Sequence, residues 1–441
     1  MNTTKKLMTL LLAMLTANLA IAYDFEVDGI YYNLNEQDAT VTVTNYSGGP
    51  TVIPGKEYSG DIVIPASITT DEGKTYTVVA IGPYAFTECT ELTSLSIPST
   101  VTEIGYKSFN ECTALMSISI PNSVTLIGEY AFHESMLEEV VLPESLQSLG
   151  KGAFARCYYL KKVQIKANLE VIPEDIFRTC VRLEEITLPS TVRKIEKNAF
   201  LQCFHLTTMP MLDSLQIIEE GAFSSTGIEY LKTGKSITYI GDNAFAVCTE
   251  MKSAEIDDPV TTLGEWTFES AYSLQKVIVG NGVHKIPKYF CSHCHELTSV
   301  MLGNAVDTID TQCFMWCEKL NTFICMAEVP PVTNGNEDEF FDSVVFQNAT
   351  LYVPGSSIEA YKTAKVWKKF QNIVDVKNVI VPGDVNGDGE ITIADANNVI
   401  DIVVMGGNSG HTRIPAADVN NDGEISIADF NAIIYMILNN H

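Results

Sequence analysis

The stretch that decides the fold is Ile81-Gly82-Pro83-Tyr84-Ala85-Phe86, followed by Cys89, Leu92, Leu95, Ile97 and Pro98. Its frame, I-G-x-x-A-F-x-x-C-x-x-L-x-x-L-x-I-P, returns along the chain. Phe86, Phe109, Phe132, Phe154, Phe177, Phe200, Phe223, Phe245, Phe268, Phe290 and Phe314 recur at intervals of 22 to 24 residues. The L-x-x-L-x-I piece is too short for a helix and alternates as a strand does. One such unit cannot bury its apolar side alone, whereas eleven stacked copies make one continuous core.

A period in the twenties with this leucine spacing signals a leucine-rich solenoid. Strands stacked in register form a parallel ladder at ~4.8 Å per rung, so eleven rungs span roughly 50 Å. The length of 441 residues would suggest about three ordinary domains at ~150 residues each, and the repeat replaces that count. The frame resembles the BspA-like class of bacterial leucine-rich repeats over residues 79–326. That resemblance implies an extracellular or surface protein that binds other molecules and performs no chemistry with the solenoid.

The repeat also explains most of the eleven cysteines. Cys89, Cys112, Cys157, Cys180, Cys203, Cys248 and Cys317 fall three residues after the repeat Phe, where Ser135, Thr226 and Ala271 stand in other units. A slot that accepts Cys, Ser, Thr and Ala asks for a small side chain, and a buried free thiol meets that need. Adjacent rungs are near enough for disulfides, so export leaves occasional pairing open. Cys291, His293, Cys294 and His295 depart from the frame, with the repeat Cys displaced by one. Their chemistry suits zinc, but no second ligand pair is evident, which favours a repeat irregularity.

One outward column of the ladder is mostly polar early and ends in Ile278, Met301 and Ile324. An apolar stripe on a polar face marks a candidate partner-binding surface. The alternative is that the cap covers it, and the need to close terminal repeats from water favours the cap. Residues 23–78 lack the repeat yet alternate as strands, and they read as a β cap. Residues 327–378 read as a mixed closing cap, with a strand at Leu351–Val353. A short helix follows at 357–370, with Ser356 or Ser357 as its N-cap and Tyr361 and Trp367 turned inward.

Residues 1–22 read as a secretory signal peptide, with Lys5 and Lys6 before an apolar run and Ala20-Ile21-Ala22 at its end. The apolar run of about 14 residues is short of the ~20 that span a bilayer, so no transmembrane segment is expected. Lys and Arg number 28 against 55 Asp and Glu, a formal charge of −27. Such a field repels phosphates and excludes nucleic acid as a partner, while attracting divalent cations.

The tail, residues 379–441, carries the cation chemistry. Asp384, Asn386, Asp388, Glu390 and Asp395 are followed 34 residues later by Asp418, Asn420, Asp422, Glu424 and Asp429. Each set places oxygens at loop positions 1, 3, 5 and 12, with Gly387 or Gly423 at 6 for the sharp turn and a backbone carbonyl from position 7. Two calcium ions are therefore expected. Without metal, the acids of each loop repel one another at close range. No apolar helix precedes either loop, and amphipathic helices follow at 395–405 and 429–438.

This duplicated loop-plus-helix unit resembles the dockerin module, a small all-α domain. The resemblance implies docking onto a cohesin-type partner and, by family habit, membership of a polysaccharide-degrading assembly. At loop positions 10 and 11 the residues are Ile393-Ala394 and Ile427-Ala428, where the cellulosomal branch often has a hydroxyl pair. Duplication suggests two similar docking faces there, unless the isoleucines pack between the halves. Ile391 and Ile425 read as core.

The expected function is a secreted or cell-surface bacterial scaffold, its solenoid presenting a surface to an unknown protein or glycan and its tail tethering it. The alternative is an adhesin for host or matrix molecules with the tail as a calcium-stiffened terminus. Catalysis is not expected. Glu138-Glu139, Glu184-Glu185 and Glu219-Glu220 sit at solvent-facing repeat positions, and no nucleophile, P-loop or convergent acid–base set occurs.

Overall fold

The structure is a computed structural model that describes residues 23–209 and 212–378. In the tail it describes 385, 391, 393–404, 414–417, 419 and 425–439. The expected leader at 1–22 lies outside the described residues, as do Asp384, Asn386, Asp388, Glu390, Asp418, Asn420, Asp422, Glu424 and the side chain of Ala394.

Each repeat makes one turn of a coil with strands on two sides. The L-x-x-L-x-I segments pair in parallel with unshifted register, as in Lys276↔Ser299↔Thr322 and Ile278↔Met301↔Ile324. A shorter strand, such as Glu103–Ile104 or Leu126–Ile127, pairs on the second side. The A-F-x-x-C segment closes the turn through backbone in the left-handed region two residues before and two after the aromatic, at Tyr84 and Glu88, Lys107 and Glu111, Tyr130 and Glu134. That conformation costs roughly 1–2 kcal/mol per residue. It aims three N–H groups at the next turn: Tyr84 donates to Tyr106 O, Phe86 to Ser108 O and Glu88 to Asn110 O, at 2.7–2.9 Å. The third side is thereby a hydrogen-bonded ladder too.

Inside, the Phe rings from Phe86 to Phe268 stack at 5.0–5.9 Å between centroids. The column is longer than eleven phenylalanines. Tyr58 lies 4.7 Å from Phe86 at one end, and Phe341 stacks on Phe314 at 5.4 Å at the other. These two rungs bring the solenoid to about thirteen turns. They escape the period because one is a tyrosine and the other follows a longer connection.

The short-strand sheet is interrupted twice, between Ser148–Leu149 and Val171–Ile172 and between Thr262–Leu263 and Lys285–Ile286. Elsewhere the residue after the short strand donates its N–H to the preceding turn, as Gly150 does to Ile127 O and Glu196 to Ile172 O. Pro173 and Pro287 occupy that position at the two breaks and have no N–H to give.

The caps share the solenoid core. Strands Phe25–Val27, Ile30–Asn35 and Thr40–Thr44 form an antiparallel ribbon whose last strand pairs in parallel with Thr75–Ile81. Buried Tyr58 accepts from Tyr31 N–H at 2.9 Å and donates to Thr44 O at 2.7 Å. At the far end Tyr361 and Trp367 are buried as the sequence implied, donating to Ala327 O and Pro331 O at 2.9 Å. The single helix expected at 357–370 is two pieces, Ile358–Thr363 and a 3-10 turn at Trp367–Lys369, broken where Val366 adopts φ 66°. Ser357 makes no side-chain cap bond.

In the tail, helices Ile393–Val404 and Ile427–Asn439 begin two residues earlier than expected. A four-residue helix at Ile414–Ala417 precedes the second loop, where none was expected, and buries Ala416 and Ala417.

Candidate functional site

Asp395 and Asp429, the last expected ligand of each loop, are both fully buried in the first turn of their helices. A buried carboxylate is costly unless it is hydrogen-bonded or bound to metal. The Asp429 carboxylate gathers its own loop: Oδ1 accepts Val419 N–H at 2.8 Å, and Oδ2 accepts Ser426 N–H at 2.8 Å and Ser426 Oγ–H at 3.3 Å. This is the arrangement a calcium loop needs at its closing position, and the other oxygens lie within the same few residues of sequence. The chain's chemistry therefore fits calcium. Behind the loops, Val385, Ala396, Val399, Ala417 and Ile433 form a small core, with Ile391 and Ile425 packed against it as expected.

The structure turns the duplicated isoleucines outward. Ile393 is 63% and Ile427 67% exposed, each at the first residue of its helix, and Ala428 is exposed beside it. Neither packs between the halves. Ile400, Tyr435 and Leu438 are further exposed apolar residues on the same helices, missed by attention to loop positions 10 and 11 alone. A helical reading from Ile393 to Ile400, seven residues on, contains the signal.

On the solenoid, Ile278, Met301 and Ile324 are direct neighbours and half-buried. The closing cap extends their sheet through Thr350–Val353 and Asn372–Asp375, with Ile324↔Tyr352↔Val374 in register. The apolar stripe thus lengthens to five residues across the cap. The expectation that the cap lies over it is corrected: cap strands add beside the stripe.

All eleven cysteines are buried and unbridged. In seven turns, from Cys112 to Cys317, the thiol points at the carbonyl oxygen of the preceding turn's aromatic position at 3.0–3.2 Å. The slot therefore takes a small side chain that donates across turns where it is Cys, whereas Thr226 donates to Phe223 O of its own turn and Ala271 has no donor. Cys294 obeys this rule through Phe268 O, and Cys317 donates to Cys291 O. It is the phenylalanine that is displaced: Cys291 fills the aromatic position and Phe290 the small one before it. The Phe intervals of 22 then 24 residues carried that information. With both thiols inside, His293 stacks on Trp316 at 4.1 Å and His295 on Tyr272 at 5.6 Å. No metal-holding group of side chains occurs among the described residues.

Four of these six glutamates form ion pairs with lysines one turn away. Lys162–Glu185, Lys194–Glu219 and Lys197–Glu220 lie at 2.7–2.8 Å, and Lys161–Glu138 at 3.6 Å. Among the described residues no helix is long and apolar enough to cross a membrane.

Fold and surface together define a repeat solenoid built for binding, joined to a small calcium-binding module. The family model for the BspA type leucine rich repeat region matches residues 79–207 and 193–321, and the chain belongs to that family. The model for the dockerin type I domain matches residues 382–438. Both are binding modules without catalytic chemistry, of kinds typical of extracellular or cell-surface bacterial proteins. No curated protein matches the chain. Among solved structures, a leucine-rich repeat protein from Bacteroides ovatus is 26% identical with a TM-score of 0.62, over 75% of this chain and 88% of its own. The pneumococcal vaccine antigen PcpA is 20% identical with a TM-score of 0.50, over 80% of this chain and 98% of its own. The latter likeness is one of fold.

Proposed function

We propose that this protein is an exported scaffold component with two binding ends and no catalytic activity. Residues 379–441 dock onto a cohesin-type partner when Asp384, Asn386, Asp388, Glu390 and Asp395, and their counterparts Asp418, Asn420, Asp422, Glu424 and Asp429, hold two calcium ions. The solenoid presents the stripe from Ile278 through Met301 and Ile324 to a macromolecular ligand. The observation that carries the reading is the pair of exposed isoleucines, Ile393 and Ile427, at equivalent positions of two helices whose third residues are buried aspartates. Calcium offsets half of the four carboxylate charges in each loop and so fixes the two helix starts; the chain itself supplies the apolar contact. A polysaccharide-degrading assembly is the setting that the dockerin match suggests.

The test is a pull-down from surface extracts of the producing cell using the full chain, with calcium and with EDTA. Capture of a cohesin-bearing protein only with calcium, and its loss in the Ile393→Asp/Ile427→Asp double variant, supports tethering. Capture that survives EDTA and the double variant refutes it and favours an adhesin with a structural tail.

A further inference from the structure

A second surface feature owes nothing to the tail or to the apolar stripe. It lies on the third side of the coil, where the turns around Phe132, Phe154 and Phe177 meet. A cleft of about 290 Å³ opens there, lined by Tyr130, His133, Arg156, Tyr158, Asp175 and Arg178 among others. The sequence builds it from one substitution pattern. Two residues before the aromatic, the left-handed position holds Tyr130, then Gly152, then Asp175 in successive turns. A Cβ on Gly152 would sit 2.5 Å from the Tyr130 ring, so only glycine lets that ring fold over the next turn. The ring becomes a wall, and Asp175 the floor.

Asp175 is the only acid at this position in the repeat array. It is 7% exposed, and its Oδ1 is buried without a hydrogen bond. The Arg178 guanidinium stands 3.9 Å from it, and Lys151 Nζ lies 3.6 Å from Oδ2 while bonding Glu174 at 2.7 Å. These distances give charge compensation but leave an acceptor unsatisfied, which a ligand donor can satisfy. Arg178 is half exposed, so a ligand group can displace the guanidinium from above Oδ1.

The lining decides the ligand class. A cation is opposed by Arg156, Arg178 and Lys151, and an anion by Asp175 and Glu134, which sits 2.9 Å from Arg156. His133 adds no charge at neutral pH, because burial holds its imidazole below the usual range. What remains is a neutral molecule with hydroxyls that both donate and accept, and with a C–H face for Tyr130; Arg156 lies over the Tyr158 ring and donates to its hydroxyl at 2.7 Å. Tyr84 and Tyr106 continue from Tyr130 along the coil, at ring separations of 5.3 and 6.4 Å, as an aromatic track into the cleft.

We propose that this cleft binds a neutral sugar ring of a glycan chain, with Asp175 accepting a hydroxyl proton and Arg178 donating to a neighbouring hydroxyl. The site is independent of the docking reading: its ligand binds at constant calcium and without a cohesin partner.

The test is calorimetric titration of the full chain with maltohexaose, cellohexaose, mannohexaose and xylohexaose, and with hexagalacturonate as an anionic arm. Saturable binding of at least one neutral hexasaccharide is expected. Asp175→Asn and, at a half-exposed position that leaves the fold intact, Arg178→Ala each weaken it by about tenfold or more. Lys285→Ala, on another side of the coil, leaves it unchanged. Absence of binding to all four neutral sugars, binding of hexagalacturonate alone, or wild-type affinity in Arg178→Ala overturns the proposal.

Discussion

The solenoid and the tail reach stability by opposite routes. From Tyr58 to Phe341 most turns are held by the turn before them through stacked rings, up to three backbone ladders and, in seven turns, a thiol hydrogen bond. Among its described residues the tail has a core of five small or medium side chains, and nine acids stand against Arg413 in residues 384–441. One region is over-supplied with apolar contacts. The other has few among its described residues, and its sequence crowds four carboxylates into each of two short loops, a repulsion that a bound cation relieves. On the proposed function, such a chain separates a permanent display surface from a connection that the surrounding calcium would control.

Chelation breaks the comparison most visibly. EDTA should unfold residues 379–441 and leave 23–378 folded, since metal binding and folding are one equilibrium in such small modules. Limited proteolysis of the full chain, with cleavage sites mapped by mass spectrometry, reads this directly. Cuts confined to the tail and appearing only with EDTA are expected; an EDTA-insensitive pattern counts against metal-dependent folding.

Within the solenoid the largest single loss should come from a mid-column ring. Phe200→Ala removes a fully buried side chain stacked on both neighbours and is expected to cost about 3–5 kcal/mol. Phe290→Ala should cost less than Phe200→Ala in urea unfolding. Phe290 meets its neighbours edge-on, at 74° and 87°, from the slot that Ala fills in other turns. Equal costs would sink the slot assignment.

That comparison also shows where the sequence was legible. Period, strand spacing and the thiol slot follow from residue types repeated at fixed distances, so they survive one-dimensional reading. Tyr58 and Phe341 did not, because their place in the column depends on connections of other lengths. The shift at Phe290 was encoded only as an interval of 22 followed by 24. Of the candidate sites, the outward face of Ile393 and Ile427 was foreseen as one of two options. The cleft at Asp175 was invisible, since it needs three consecutive turns read across the ladder.

The thiols give the solenoid an alkaline weakness that the tail, without cysteine, does not share. Burial pushes Cys89 up to about 12 and Cys248 up to about 11, and holds Cys112 and Cys180 well above the usual thiol range. A thiol raised in the folded state binds its proton more tightly there than in the unfolded chain. The unfolded state therefore loses protons first as pH rises, and stability falls from about pH 8.5 upward. The solenoid melting temperature should be flat from pH 7 to 8 and drop between pH 9 and 10. Alkylation at pH 8 should label no cysteine until denaturant is added. Labelling of the native chain would show that the column is open to solvent.

The smallest effect concerns the charged ladder on the strand face. Lys162 and Glu185 pair across adjacent turns at 2.7 Å, but their side chains are 54% and 66% exposed. Solvent screening keeps the coupling of such a pair small. A double-mutant cycle of Lys162→Ala and Glu185→Ala, read by urea unfolding, should give a favourable coupling far below the Phe200→Ala cost, and it should fade at high salt. The neighbouring pairs have the same separation of one repeat, so their sum is a salt-dependent contribution spread along the coil. The ring column, built of carbon, should not respond. A salt titration that shifts the Phe200→Ala cost as much as the Lys162–Glu185 coupling would contradict this division of labour.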